Sequence, residues 1–148
     1  MKRIISTPPN YFYGCIFVCI PFYFILSRFR CICFPYNLLG LPFIPLGIFM
    51  VINPWYLFQK HNTPENFSTS TSLVVEGIYK YSRNPMYLGG ILILLGVALT
   101  TGNLVAFAVP VVFFLIMQFI FIPFEEEKMK STFGKDYLKY KASVRRWI

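Results

Sequence analysis

The sequence predicts an all-α integral membrane protein of about four transmembrane helices, and three observations predict it. Of 148 residues, 56% are hydrophobic and only 14% charged, whereas soluble domains average about 25% charged. The apolar residues are gathered into four long blocks. The lysines and arginines between those blocks fall almost entirely on one side.

A helix that crosses a bilayer needs about 20 apolar residues. The first block runs from Tyr11 to Ser27, interrupted by Pro21, and the second from Leu38 to Phe58, with Pro42, Pro45 and Pro54. The third, Met86 to Thr100, is short, and is expected to span with Tyr81 to Pro85 in the interface or the bilayer locally thinned. The fourth runs from Leu104 to Phe124 and carries Pro110 and Pro123. Prolines are tolerated in such helices because neighbours satisfy the freed carbonyls. The length suits one domain, residues 1–148.

Charge sets the orientation. With four spans, the N-terminus, the loop from Gln59 to Pro85 and the C-terminal tail share a side. They carry Lys2, Arg3, Lys60, Lys80, Arg83, Lys128, Lys130, Lys135, Lys139, Lys141, Arg145 and Arg146, against Arg28 and Arg30 opposite. The positive-inside rule places both termini in the cytoplasm. The net charge of +8 reads as topology and attraction to anionic lipid. Nucleic acid is not an expected partner, since no basic module stands apart from the membrane blocks. Lys2 and Arg3 precede an apolar stretch without a small-residue cleavage site, so a retained span is expected. Cys15 and Cys19 read as packing residues. Cys31 and Cys33 form a lone Cys-x-Cys across the membrane from the only histidine, His61, so no metal site is expected.

Two polar clusters flank the last two blocks. The first reads Tyr79-Lys80-Tyr81-Ser82-Arg83-Asn84-Pro85-Met86-Tyr87-Leu88-Gly89; the second opens with Glu125-Glu126-Glu127 and runs through Phe133-Gly134, Tyr137 and Tyr140 to Arg145-Arg146-Trp147. A hairpin of the third and fourth spans, divided only by Thr101-Gly102-Asn103, returns both clusters to one face. Arg83 and Glu125 are therefore expected to be neighbours. Asn84 is expected to cap the third helix, with Pro85 in its first turn. A new helix is expected to start at the glutamates, just after Pro123. Met129, Phe133, Tyr137 and Tyr140 form one face of this tail helix, broken at Gly134 and lying along the interface over Arg83.

The chemistry follows from residue types. A carboxylate beside a low-dielectric wall holds an ammonium well, and Glu125 and Glu126 lie closest to the membrane end of the tail. An acidic N-cap is the plainer reading of the triplet. Arg83 suits an anion, or is a positive-inside anchor. Tyr79, Tyr81 and Tyr87 are ligand walls or interface aromatics. Gly89-Gly90 allows either close helix packing or backbone approach by a ligand. A ligand with an ammonium, a carboxylate and a flat ring would satisfy these groups. S-adenosylmethionine is one such zwitterion among others.

From about His61 to its end, the chain resembles the isoprenylcysteine carboxyl methyltransferase and phospholipid methyltransferase group of membrane enzymes. The resemblance rests on Gly77 to Gly89, on Glu125-Glu126, on Phe133-Gly134, on Tyr137 and Tyr140, and on Val144 to Trp147, with Thr63-Pro64 before them. It implies an S-adenosylmethionine pocket facing the cytoplasm, formed by residues 61–148. Its lining would be Tyr79, Arg83, Asn84, Pro85, Tyr87, Leu88, Gly89, Glu125 and Glu126. Arg83 would be the catalytic residue, and Tyr137, Tyr140 and Arg145 would meet a lipidic or amphipathic acceptor. The isoprenylcysteine enzymes often have His in place of Asn84 and Val-Pro-Arg in place of Val144-Arg145-Arg146. Those departures bear on the acceptor rather than the cofactor. Methyl transfer needs an aligned nucleophile and excluded water; an acceptor carboxylate needs no base, and no dedicated base is evident. A sterol-reductase-type enzyme using NADPH and a non-catalytic membrane scaffold are the alternatives.

Overall fold

The computed structural model describes residues 11–15, 17, 30–60 and 73–148. Most of the first expected span and the polar stretch from His61 to Ser72 lie outside these residues. Among the described residues the fold is helical, without a strand; one isolated bridge joins Arg30 and Asn103. The elements are α1 (Phe43–Lys60), preceded by a 3-10 turn at Tyr36–Gly40; α2 (Pro85–Thr101); α3 (Ala108–Ile116), entered through a 3-10 turn at Leu104–Phe107; and α4 (Ile122–Ser143). A second 3-10 turn, Gly77–Lys80, precedes α2.

Two helical runs, Tyr36–Lys60 and Leu104–Ser143, are long and apolar enough to cross a membrane. Their outward side chains are apolar: Leu46, Phe49, Ile52 and Tyr56 on α1, and Val111, Leu115 and Phe119 on the last run, are all exposed. Water would penalise this surface and lipid would not. α2 has 17 residues, roughly 26 Å at 1.5 Å per residue, which is short for a hydrocarbon core of about 30 Å.

Glycine brings α1 and α2 together. A Cβ on Gly47 would stand 2.5 Å from the Gly89 carbonyl oxygen, and one on Gly96 would stand 2.8 Å from that of Gly40. The same two-turn spacing on antiparallel partners lets the backbones touch in two places, as small residues do in membranes. On its other side α2 meets a core of Leu94, Phe113, Met117, Phe121 and Ile122. The described start of the chain joins this core, with Tyr11 edge-on to Phe121 and Phe12 to Phe113.

The turn between α2 and α3 is pinned. Gly102 takes φ 65° and ends α2. Its carbonyl accepts from the Cys31 and Ile32 N–H groups at 2.8 and 3.1 Å. Asn103 accepts from the Val105 N–H at 2.9 Å. Cys31 and Cys33 are exposed and form no disulfide among the described residues.

The expectation that a separate helix begins after Pro123 is corrected. Helix continues through Pro123 without a break, from Leu104 as far as the kink at Gly134. A π turn at Met117–Phe121 accommodates the proline, and the Ile122 N–H reaches back to the Met117 carbonyl. Proline removes one donor and crowds the carbonyl four residues earlier; widening the preceding turn accommodates both. The kink expected at Gly134 is present, at φ 51° and ψ −118°.

Candidate functional site

The first polar cluster reaches the site through its turn. Gly77 adopts φ 59° and opens the 3-10 turn that sends Tyr79 inward, 6% exposed, and Tyr81 outward, 77% exposed. Tyr79 packs against Phe58 of α1 at 5.7 Å between ring centroids. The Tyr140 hydroxyl donates to the Tyr79 carbonyl at 2.7 Å and so ties α4 to this turn. Pro85 occupies the first turn of α2, as expected. Asn84 does not cap the helix with its side chain. Instead its amide donates to the Arg146 carbonyl at 2.9 Å.

α4 carries Glu125 and Glu126 over this turn. The expected pairing of Arg83 with Glu125 shifts by one residue. Arg83 Nη1 donates to Glu126 Oε1 at 2.9 Å, with both side chains about nine-tenths buried, and to the Tyr137 hydroxyl at 3.3 Å. Glu126 also receives Lys141 Nζ at 2.7 Å, and Arg146 through Nε at 3.0 Å and Nη2 at 3.1 Å. Glu125 instead accepts from the Tyr87 hydroxyl.

The two adjacent carboxylates therefore differ electrostatically. Burial pushes the Glu125 carboxyl up to about 7, against the lowering effect of the Tyr87 hydrogen bond and of Lys128. Burial also acts on Glu126, but hydrogen bonds from Lys141 and Arg146 and the charge of Arg83 outweigh it and hold that carboxyl below its usual range. Burial with few compensating charges disfavours an ion, and several close cations favour it. Glu126 is the ionised partner of three cations. Glu125 is the carboxylate without a cation bonded to it among the described residues.

A cavity sits between these groups, lined by Phe58, Leu73, Val74, Tyr79, Arg83, Asn84, Glu125, Glu126, Met129, Tyr137 and Tyr140. Within it Arg83 Nε is buried and has no hydrogen-bond partner among the described residues. The enclosed space is about 40 Å³, whereas pockets for drug-sized ligands run to roughly 300–1,000 Å³. A ligand of that size must part the walls.

Tyr79, Arg83, Asn84, Glu125, Glu126, Tyr137 and Tyr140 thus converge on one cavity, and Tyr87 joins them through Glu125. Four expected site residues sit elsewhere. Gly89 is spent on the approach to Gly47. Leu88 does not line the cavity, and Pro85 serves to start α2. Arg145 has an exposed side chain and offers only its carbonyl, to the Arg83 N–H at 3.1 Å. Sequence reasoning missed Arg146 and Lys141, which hold Glu126. It also missed Gln118, whose carbonyl oxygen accepts from the Trp147 indole N–H at 2.8 Å. The Arg145-Arg146 doublet was the available signal, and in an extended tail only one of the two turns inward. Metal-ligating clusters are absent among the described residues.

Apolar flanks on the helices, with a buried charged cavity at one end, are the features of a membrane protein with a candidate ligand site. Residues 35–136 match the family model for phospholipid methyltransferases, and the chain belongs to that family of membrane methyltransferases. It is also 41% identical over 63 residues to an uncharacterized protein of Haemophilus influenzae, covering 43% of this chain and 100% of that relative.

Proposed function

We propose that the chain is an S-adenosylmethionine-dependent methyltransferase, with about four spans, that methylates a lipidic or amphipathic acceptor at the cytoplasmic face. The observation that carries this is the pairing of a buried carboxylate with no cation bonded to it, Glu125, and a buried donor without a hydrogen-bond partner among the described residues, Arg83 Nε, in one aromatic-walled cavity. Their chemistry fits the cofactor: Glu125 would hold its ammonium, Arg83 and Asn84 its carboxylate, and Phe58, Tyr79 and Tyr140 would offer apolar walls to its ring. Glu126, which the sequence offers as an equal partner in ammonium binding, is better suited to fixing Arg83, because three cations already neutralise it.

When bound, the cofactor supplies an electrophilic methyl group on a sulfonium. The chain's part is alignment and exclusion of water. Arg83 orients an anionic group, through a planar fork suited to carboxylate or phosphate. The bond from the Tyr140 hydroxyl to the Tyr79 carbonyl ties two walls of the cavity together. A lipidic acceptor reaches the site sideways from the bilayer, past the apolar flanks of the helices.

The test is transfer of a labelled methyl group from S-adenosylmethionine to acceptors in a lipid extract by the detergent-solubilised chain. Incorporation into the lipid fraction supports the reading. Binding of NADPH with no binding of S-adenosylmethionine would favour a reductase instead.

A further inference from the structure

We propose that Arg146 is a positioning residue: by taking both oxygens of Glu126, it leaves one edge of the Arg83 guanidinium free for the anionic end of the bound methyl donor. The inference rests on the reading of the cavity as the methyl-donor site.

A carboxylate offers about four lone-pair sites. Glu126 receives four donors: Arg83 Nη1 and Arg146 Nε on Oε1, and Lys141 Nζ and Arg146 Nη2 on Oε2. It is saturated. A buried guanidinium beside a carboxylate ordinarily makes two parallel bonds. Arg83 makes one to Glu126, with Nη1 also reaching the Tyr137 hydroxyl, and its Nε stays buried without a partner among the described residues. Without Arg146, sites on both oxygens of Glu126 open, and Arg83 can turn its Nε edge onto them. The pair then closes on itself and the anion-binding edge is lost.

Arg146 is held for this role from both sides. The Arg83 N–H donates to the Arg145 carbonyl and the Asn84 amide to the Arg146 carbonyl, at 3.1 and 2.9 Å. Beyond it, the Trp147 indole donates to Gln118 in the π turn at 2.8 Å and packs on Phe114 at 5.1 Å. Helix α4 has ended by then, with Val144 extended at φ −123° and ψ 134°. The last residues are fixed by these contacts rather than by helical bonds.

The experiment is titration of S-adenosylmethionine into the full, detergent-solubilised chain. Arg146→Gln should weaken binding roughly tenfold, the worth of one charge-assisted hydrogen bond. Adding Glu126→Gln to that variant should restore affinity to within about threefold of wild type, because residue 126 then offers Arg83 no charged pair of oxygens to close onto. Such rescue is not expected if Arg146 touches the donor directly or only stabilises the fold. Failure of rescue, or a double variant weaker than the single one, overturns the proposal. Should Arg146→Gln not fold, Trp147→Phe removes only the anchoring N–H. It should weaken binding roughly threefold, and Glu126→Gln should cancel that loss too; no cancellation again overturns the proposal. A wild-type chain that does not bind S-adenosylmethionine overturns the reading of the cavity and this inference together, whereas binding without rescue overturns the inference alone.

Discussion

Arg83 Nη1 and Glu126 Oε1 stand 2.9 Å apart although 43 positions of chain separate the two residues. This contact joins the turn before α2 to the helix that leaves the last span, and it leaves Arg83 Nε unpartnered in the cavity. Arg83→Lys should preserve the ion pair and the fold, because an ammonium still reaches Glu126. It should weaken S-adenosylmethionine binding by about tenfold or more, since lysine offers a point charge instead of a fork. Titration of the purified variant measures this. Unchanged affinity would show that positive charge alone matters there.

The proposed binding of S-adenosylmethionine should depend on pH through Glu125. Burial raises its carboxyl to about 7, and only the ionised form attracts an ammonium. Affinity should therefore fall as pH drops through 7, and Glu125→Gln should abolish that acid limb. Above about 8 the ligand's own α-amino group loses its proton, so wild-type affinity should peak in between. Stability runs the other way. The folded value lies above the unfolded one of about 4.3, so this group's contribution is complete below the unfolded value and is lost as pH rises through 7. Glu125→Gln should raise Tm relative to wild type at pH 8, and the difference should shrink toward pH 4. Thermal melts in detergent at the two pH values check the sign.

The glycine contacts between α1 and α2 admit no side chain. Gly47→Val and Gly89→Val should each push the helices apart and cost roughly 1–3 kcal/mol or more, because the nearest obstacle in each case is a backbone carbonyl. Thermal unfolding in detergent reads this. Gly134→Ala is the contrast. A Cβ there meets no atom within 4 Å, but φ is 51°, so its cost is conformational, on the order of 1 kcal/mol.

The topology is testable by reporters. One fused after Ile148 should be cytoplasmic, and one inserted at Gly102 should face the opposite side, as the bias in lysine and arginine requires. Reporters found on the same side would remove the hairpin.

Much of this architecture was legible before any coordinates. Hairpin geometry alone brought Arg83 to the glutamates, and the 3.6-residue period put Tyr137 and Tyr140 on the face that meets it. The choice between Glu125 and Glu126 was not legible, since neighbours on a helix point about 100° apart and only the seating of α4 fixes which meets Arg83. Pro123 reads locally as a boundary, yet a π turn carries the helix through it. Asn84 reads as a cap, but its amide is drawn to the tail at Arg146, a contact between distant segments that no local pattern encodes. Gly89 was open to two uses, and the answer lay in Gly47, on a helix whose register against α2 the sequence does not state.

The proposed S-adenosylmethionine site at Glu125 and Arg83 is tested most directly by calorimetric titration near pH 7.5. Wild-type protein should bind the cofactor saturably and should not bind NADPH. Glu125→Gln should stay folded and bind roughly 10- to 150-fold more weakly, the worth of one lost charge-assisted contact. No binding by wild type, or equal binding by a folded Glu125→Gln variant, would contradict the account.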